Sequence, residues 1–141
     1  MSKENFFVSN DKLMLDVKLI HNFLSQESYW AKNISIDTIN ITIENSLCFG
    51  LFTKDKEQVG YARVITDYAT VAHIVDVFVI REYRALGLSK MLIQNILLYL
   101  NDLNLRKIYL FTHDAPELYK KFGFKNSNHP EHYMEIINNL F

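Results

Sequence analysis

The sequence predicts an α/β domain of the α+β type, with a single mixed, mostly antiparallel sheet and helices on both faces. Three observations carry this. Apolar runs and turn signals give the order β-α-α-β-β-β-α-β-α-β. The three central strands follow one another directly, as hairpin-connected strands do. A long helix then separates two strands, the pattern of a crossover connection. The 141 residues make one domain, 1–141, the natural division at this length. Ten Phe, eight Tyr and many Ile and Leu exclude disorder over the whole length.

The first strand is read from E-N-F-F-V-S and closed by Asn10 and Asp11. Asp16 is placed to cap a helix whose Val17, Ile20, Phe23 and Leu24 share one face, and the pattern fades at Ser25–Ser28. Ser35 caps a second helix with Ile36, Ile39 and Ile43 on one side, although its β-branched residues would also suit a strand. Ser46–Thr53 and Gln58–Thr66 read as hairpin partners across K-D-K-E. Val71–Ile80 reads as a long, largely buried strand. Leu88, Leu92, Ile96 and Leu100 recur four apart, the clearest helical signal in the chain. Lys107–Thr112 is a short strand. Ala115–Phe122 is a short helix with Pro116 in its first turn and Gly123 at its stop. A last strand is expected over His132–Ile137.

Composition narrows the function classes. Fifteen Lys and Arg against sixteen Asp and Glu give a net charge of −1, so no global field argues for a nucleic-acid or membrane partner. A lone cysteine, Cys48, excludes an internal disulfide and a multi-cysteine zinc site. The N-terminus lacks the pattern of a signal peptide, and no charge-free run approaches the length of a membrane span. A cytoplasmic protein is expected, with no metal; His113 and Asp114 are a weak pairing for one.

The strongest local signal is strand, Gly-containing turn, helix, over Val75–Leu100. A helix start offers free N–H groups and a positive dipole end, so it can take a phosphate. Gly87 would let the backbone approach an anion, and Arg84 and Lys90 add charge. A plain βα turn with surface Arg is the other reading of the same residues.

The segment V-F-V-I-R-E-Y-R-A-L-G-L-S-K, with Arg84-Ala85-Leu86-Gly87-Leu88-Ser89 in the place of an Arg/Gln-x-x-Gly-x-Gly/Ala signature, resembles the coenzyme A loop of the GNAT N-acetyltransferases. A-P-E-L-Y-K-K-F-G-F, residues 115–124, is similar to that family's late helix, and G-Y-A-R-V at Gly60–Val64 to its third strand. The match spans roughly residues 45–125. Ser89 departs from the usual Gly or Ala, Arg81 from a frequent Pro, and Ala85 from a frequent Gly.

The resemblance implies a GNAT fold and an acetyl-CoA-dependent N-acetyltransferase. The acetyl group would pass directly to an amine of a small molecule or a protein, without an acyl-enzyme. Backbone N–H groups of Leu86, Gly87, Leu88, Ser89 and Lys90, helped by Arg84, would hold the pyrophosphate. The pantetheine arm would pair with the strand at Phe78, Val79 and Ile80. Tyr119 would donate a proton to the departing thiolate.

The general base is open between Asp76 and His73, which strand alternation places on opposite faces unless a bulge intervenes. Tyr29 and Trp30, between the first helices, either face the acceptor or pack in the core. Arg63, Asp67 and Tyr68 either line the acceptor cleft or form a solvated strand end. Cys48 is expected to be buried, with no part in direct transfer. A homodimer is compatible with the family. The competing function is a coenzyme A-binding sensor or partner module without turnover.

Overall fold

The computed structural model describes residues 5–138. Five strands form one sheet in the order β1-β2-β3-β4-β5: β1 (Phe6–Ser9), β2 (Leu47–Thr53), β3 (Gln58–Thr66), β4 (Val71–Val79) and β5 (Lys107–Tyr109). The first four pair antiparallel, and β5 joins β4 in parallel. The four helices are α1 (Val17–Asn22), α2 (Ile36–Glu44), α3 (Leu88–Asn101) and α4 (Pro116–Lys120). Glu4, read as the start of the first strand, lies outside the described residues.

The helix starts follow from their caps. The Asp16 carboxylate accepts the Leu19 N–H at 3.0 Å, and the Ser35 hydroxyl accepts the Thr38 N–H at 3.1 Å. Gln58, buried at the start of β3, accepts the Asp16 N–H and donates to the Gly60 carbonyl, so α1 is anchored on the sheet. Beyond Asn22 the helix widens into a π-helical turn, Phe23–Glu27, where the sequence pattern fades. Gly123 has φ +95°, the left-handed conformation expected after α4.

Strand alternation separates two cores. Leu47, Phe49, Ala62 and Val64 face α3, whose Leu88, Leu92, Ile93, Ile96 and Leu100 are buried. Each such side chain stabilises by about 1.5–3 kcal/mol on removal from water. Cys48, Tyr61 and Phe78 face the other way and pack with Ile20, Phe23, Leu24, Ile39 and Ile43 of the α1–α2 layer. Phe23 stacks on Phe78 with centroids 4.0 Å apart and 9° between planes.

One predicted element is absent. His132 closes a 3-10 turn, Pro130–His132, and 133–138 have no ladder partners among the described residues. A strand needs a neighbour as well as an apolar pattern, and this segment has none within its own sheet. Two short 3-10 turns, Lys12–Met14 and Arg81–Tyr83, were not expected. No helix among the described residues is long and apolar enough to cross a membrane.

Candidate active site

The site begins with an irregularity in β4. Tyr61 pairs with Phe78 and Arg63 with Val75, so two steps along β3 oppose three along β4. The extra residue is a bulge at Asp76, whose φ is +55°. Before it, Ala72 and Ile74 face the α3 core; after it, Val77 and Val79 do. The change of parity brings His73 and Asp76 to the same α1–α2 face. Simple alternation had set them apart.

Asp76 is held on both oxygens. Arg63 Nε donates to Oδ2 at 2.8 Å and Trp30 Nε1 donates to Oδ1 at 2.7 Å. Arg63 also donates from Nη1 to the Ser46 hydroxyl. The pair is largely desolvated, with 15% of the Arg63 side chain and 9% of the Asp76 side chain exposed. A carboxylate so engaged orients its neighbours. Here it ties the bulge to the α1–α2 loop. Asp76→Ala is expected to lower stability by about 3–5 kcal/mol, because it strands the guanidinium. Asp76→Asn, which tolerates positive φ and keeps an acceptor for Trp30, should lose less. Urea unfolding of the two variants checks the order.

Tyr29 and Trp30 lie at the surface, 58% and 41% exposed, and do not fill the core. Their rings meet edge to face at 5.0 Å. Tyr29 also meets His113, beyond β5, edge to face at 5.8 Å. The loop after α1 and the loop after β5 thus touch across the sheet end. His113, considered above only as a weak metal ligand, is one of the two rings making this bridge; nothing in its sequence position foretold a partner so distant.

Tyr119 on α4 is 8% exposed. Burial, and then the charges of Asp114 and Tyr29, push its pKa up to about 12. Its hydroxyl has no hydrogen-bond partner among the described residues. His73 stacks on Tyr109 at 4.6 Å and meets Phe111 edge to face. Burial and the nearby Arg63 charge lower its pKa, against a smaller opposing effect of Asp76, so the ring is neutral at pH 7.

The β4–β5 ladder ends at His73 and Tyr109, and β4 runs on to Val79. The Ile80 N–H is bonded to Val59 and the Ile80 carbonyl to the Tyr83 N–H, so neither is left for a ligand. Alternation turns the Val79 backbone to the open edge, where Arg84 Nε donates to its carbonyl at 2.9 Å. The Phe78 side chain is committed to the aromatic stack beneath α1.

The turn after β4 leads to Gly87, the N-cap of α3, at φ 77° and ψ 16°. No side chain caps this helix, and the Leu88 and Ser89 N–H groups make no hydrogen bond among the described residues. They border a cavity of about 270 Å³ between Val79, Tyr83 and Arg84 on one side and Gly87–Lys90 and Leu118 on the other. Leu88 is 2% exposed in the α3 core and Leu86 packs against that core, so both offer backbone rather than side chain. The uncapped helix start and Arg84 at the cavity suit a phosphate group.

Three other expectations resolve simply. Asp67 accepts hydrogen bonds from the Ala69 and Thr70 N–H groups and from the Thr70 hydroxyl, and so organises a turn. Tyr68 is exposed beside it. Cys48 is buried, receives a hydrogen bond from the Tyr61 hydroxyl at 3.3 Å, and has its pKa raised chiefly by burial.

Residues 17–124 match the model of the Acetyltransferase (GNAT) family. A crystal structure of a GNAT-family protein from Xanthomonas campestris pv. campestris is 43% identical, with TM-score 0.90 over 94% of this chain and 93% of that one. A Gibberella zeae protein named as an acetyltransferase, FG08082, is 28% identical over 89% of this chain and 82% of its own. Rv2747 of Mycobacterium tuberculosis, solved with CoA, is 17% identical, with TM-score 0.70 over 84% of this chain and 71% of that one, a likeness of fold.

Proposed function

Because the chain belongs to the GNAT acetyltransferase family, whose acetyl donor is acetyl-CoA, we propose that it transfers the acetyl group directly to an amine of a small molecule or an exposed protein amine. The single observation that carries the reading is the uncapped start of α3, which borders a cavity leading to the open edge of β4. Bound acetyl-CoA supplies a thioester, whose C–S bond breaks as the nitrogen–carbon bond forms.

This chain's residues divide the remaining work. The N–H groups of Gly87, Leu88 and Ser89 hold the pyrophosphate, with Arg84 at its side. The Val79 N–H, on the open edge, is the donor available to polarise the thioester carbonyl. Tyr119 donates to the departing sulfur. Tyr29 and Trp30 present ring faces and edges to the acceptor. Arg63 and Asp76 fix the bulge and the Trp30 ring. With both Asp76 oxygens engaged, the neutral His73 is the better candidate to take the proton from the acceptor nitrogen, directly or through water.

Calorimetric titration with acetyl-CoA, using dephospho-coenzyme A as a control, tests the first half. Saturable binding is expected, followed by amine-dependent thiol release across a panel of acceptors. Absence of binding would remove the assignment. Binding without release from any amine would favour a coenzyme A-binding module instead.

A further inference from the structure

The chain after α4 brings two imidazoles and a carboxylate together. His129, Glu131 and His132 each offer one ligand atom, and the three atoms lie within 4.8 Å of one another. His129 Nδ1 lies 3.2 Å from Glu131 Oε1, and His132 Nε2 lies 3.8 Å from the same oxygen. The two rings stack with centroids 4.5 Å apart and 6° between planes. The backbone sets up this grouping. Pro130 opens the 3-10 turn, the His132 N–H donates to the His129 carbonyl at 3.0 Å, and the Ser127 hydroxyl accepts the His129 N–H at 3.0 Å. None of the three side chains lines the cofactor cavity or joins the Asp76 cluster.

A neutral imidazole keeps one ring nitrogen for a cation, and an ionised carboxylate is acceptor only. Zinc-type ions bind nitrogen at about 2.0–2.1 Å and oxygen at about 2.0–2.2 Å, so a tetrahedral site puts neighbouring donor atoms about 3.3–3.5 Å apart. The separations of 3.2 and 3.8 Å bracket that spacing. Without a cation only protons can join the rings to the carboxylate, and two imidazolium rings stacked face to face would repel each other. A divalent ion replaces those protons and lets both rings stay neutral. Two nitrogens and one oxygen suit Zn²⁺, Ni²⁺ or Cu²⁺ and not Mg²⁺ or Ca²⁺. The side chains of His129, Glu131 and His132 are 64%, 65% and 71% exposed, so water completes the coordination. The lone Cys48 excludes a site of several cysteines and has no bearing on one built from imidazole.

We propose that His129, Glu131 and His132 bind one divalent transition-metal ion of the Zn²⁺ class, at a site separate from acetyl transfer. The ion does no chemistry on the thioester; it pins the turn. The next residue is Tyr133, whose ring lies 5.2 Å from Phe111, and Phe111 meets His73 edge to face at 5.4 Å. A cation at the turn therefore steadies the segment that this row of rings joins to the acceptor side.

The test reads metal binding, independently of acetyl-CoA and of turnover. Calorimetric titration of the full chain, first stripped with a chelator, with ZnCl₂ should saturate at one ion per chain, and excess Mg²⁺ should not compete. His132→Asn should weaken this binding by about 100-fold or more. His129→Asn with His132→Asn should abolish it without changing the far-UV circular dichroism, since both side chains are exposed. His113→Asn should bind as the unmodified protein does. Paramagnetic Ni²⁺ should broaden the amide resonances of His129 and Glu131–Tyr133 before any others. Absence of saturable Zn²⁺ binding would overturn the proposal. So would binding that survives the double substitution, or broadening centred on His113 and Asp114 instead.

Discussion

Tyr119→Phe is expected to lower kcat by about 10²- to 10³-fold and to leave acetyl-CoA affinity within about twofold, the pattern of a donor acting on developing charge. The hydroxyl makes no hydrogen bond among the described residues, so its removal leaves no buried partner unsatisfied. The ring contact with Phe124, edge to face at 5.9 Å, survives in the variant. Stability should therefore hold while turnover falls, and steady-state kinetics beside a melting curve would separate the two. The pH profile gives a second check. A phenol titrating at about 12 keeps its proton across the working range, so it adds no falling limb between about pH 7 and 10. For an alkyl amine acceptor the rate should instead rise with pH as the amine loses its proton. A Tyr119→Phe enzyme within about threefold of the parent would remove this residue from the chemistry.

Gly87→Asp should weaken acetyl-CoA binding by about 100-fold, equivalent to about 2.7 kcal/mol. Two effects act together. A side chain at φ 77° carries a left-handed penalty of about 1–2 kcal/mol, reduced for Asp by its tolerance of that region. The larger effect is charge, because the new carboxylate competes for the first N–H groups of α3 and repels the phosphates they would hold. Gly87→Asn has nearly the same shape without the charge and should lose much less. Calorimetry on the pair distinguishes repulsion from shape, and equal losses would point to distortion of the turn alone.

The parts of the fold that were legible in the sequence are those governed by local rules. The four-residue spacing of Leu88 to Leu100 defined α3, and Asp16 and Ser35 cap the helices they were expected to cap. Gly87 and Gly123 occupy the left-handed conformations that favour glycine. The site was less legible because its contacts are long-range. V-D-V-F-V reads as an uninterrupted strand, and nothing local marks Asp76 as the extra residue. Arg63 meets Asp76 through a register offset by that residue, and Trp30 reaches it from 46 positions away. The expected last strand failed for the complementary reason: an apolar run suggests a strand, and a strand forms only where another pairs with it.

The bulge at Asp76 also limits how β4 can vary. Removing Asp76 would restore a regular ladder and leave everything downstream on its present face, because Val75 and Asp76 lie on the same side of the strand. Phe78 would stay on its stack with Phe23 and Val79 in the α3 core, while Arg63 and Trp30 would lose the carboxylate they share. The irregularity therefore behaves like slack in the strand: losing one residue at the bulge spares the packing and removes the polar anchor, whereas losing one elsewhere with the bulge kept turns every side chain beyond it to the other face.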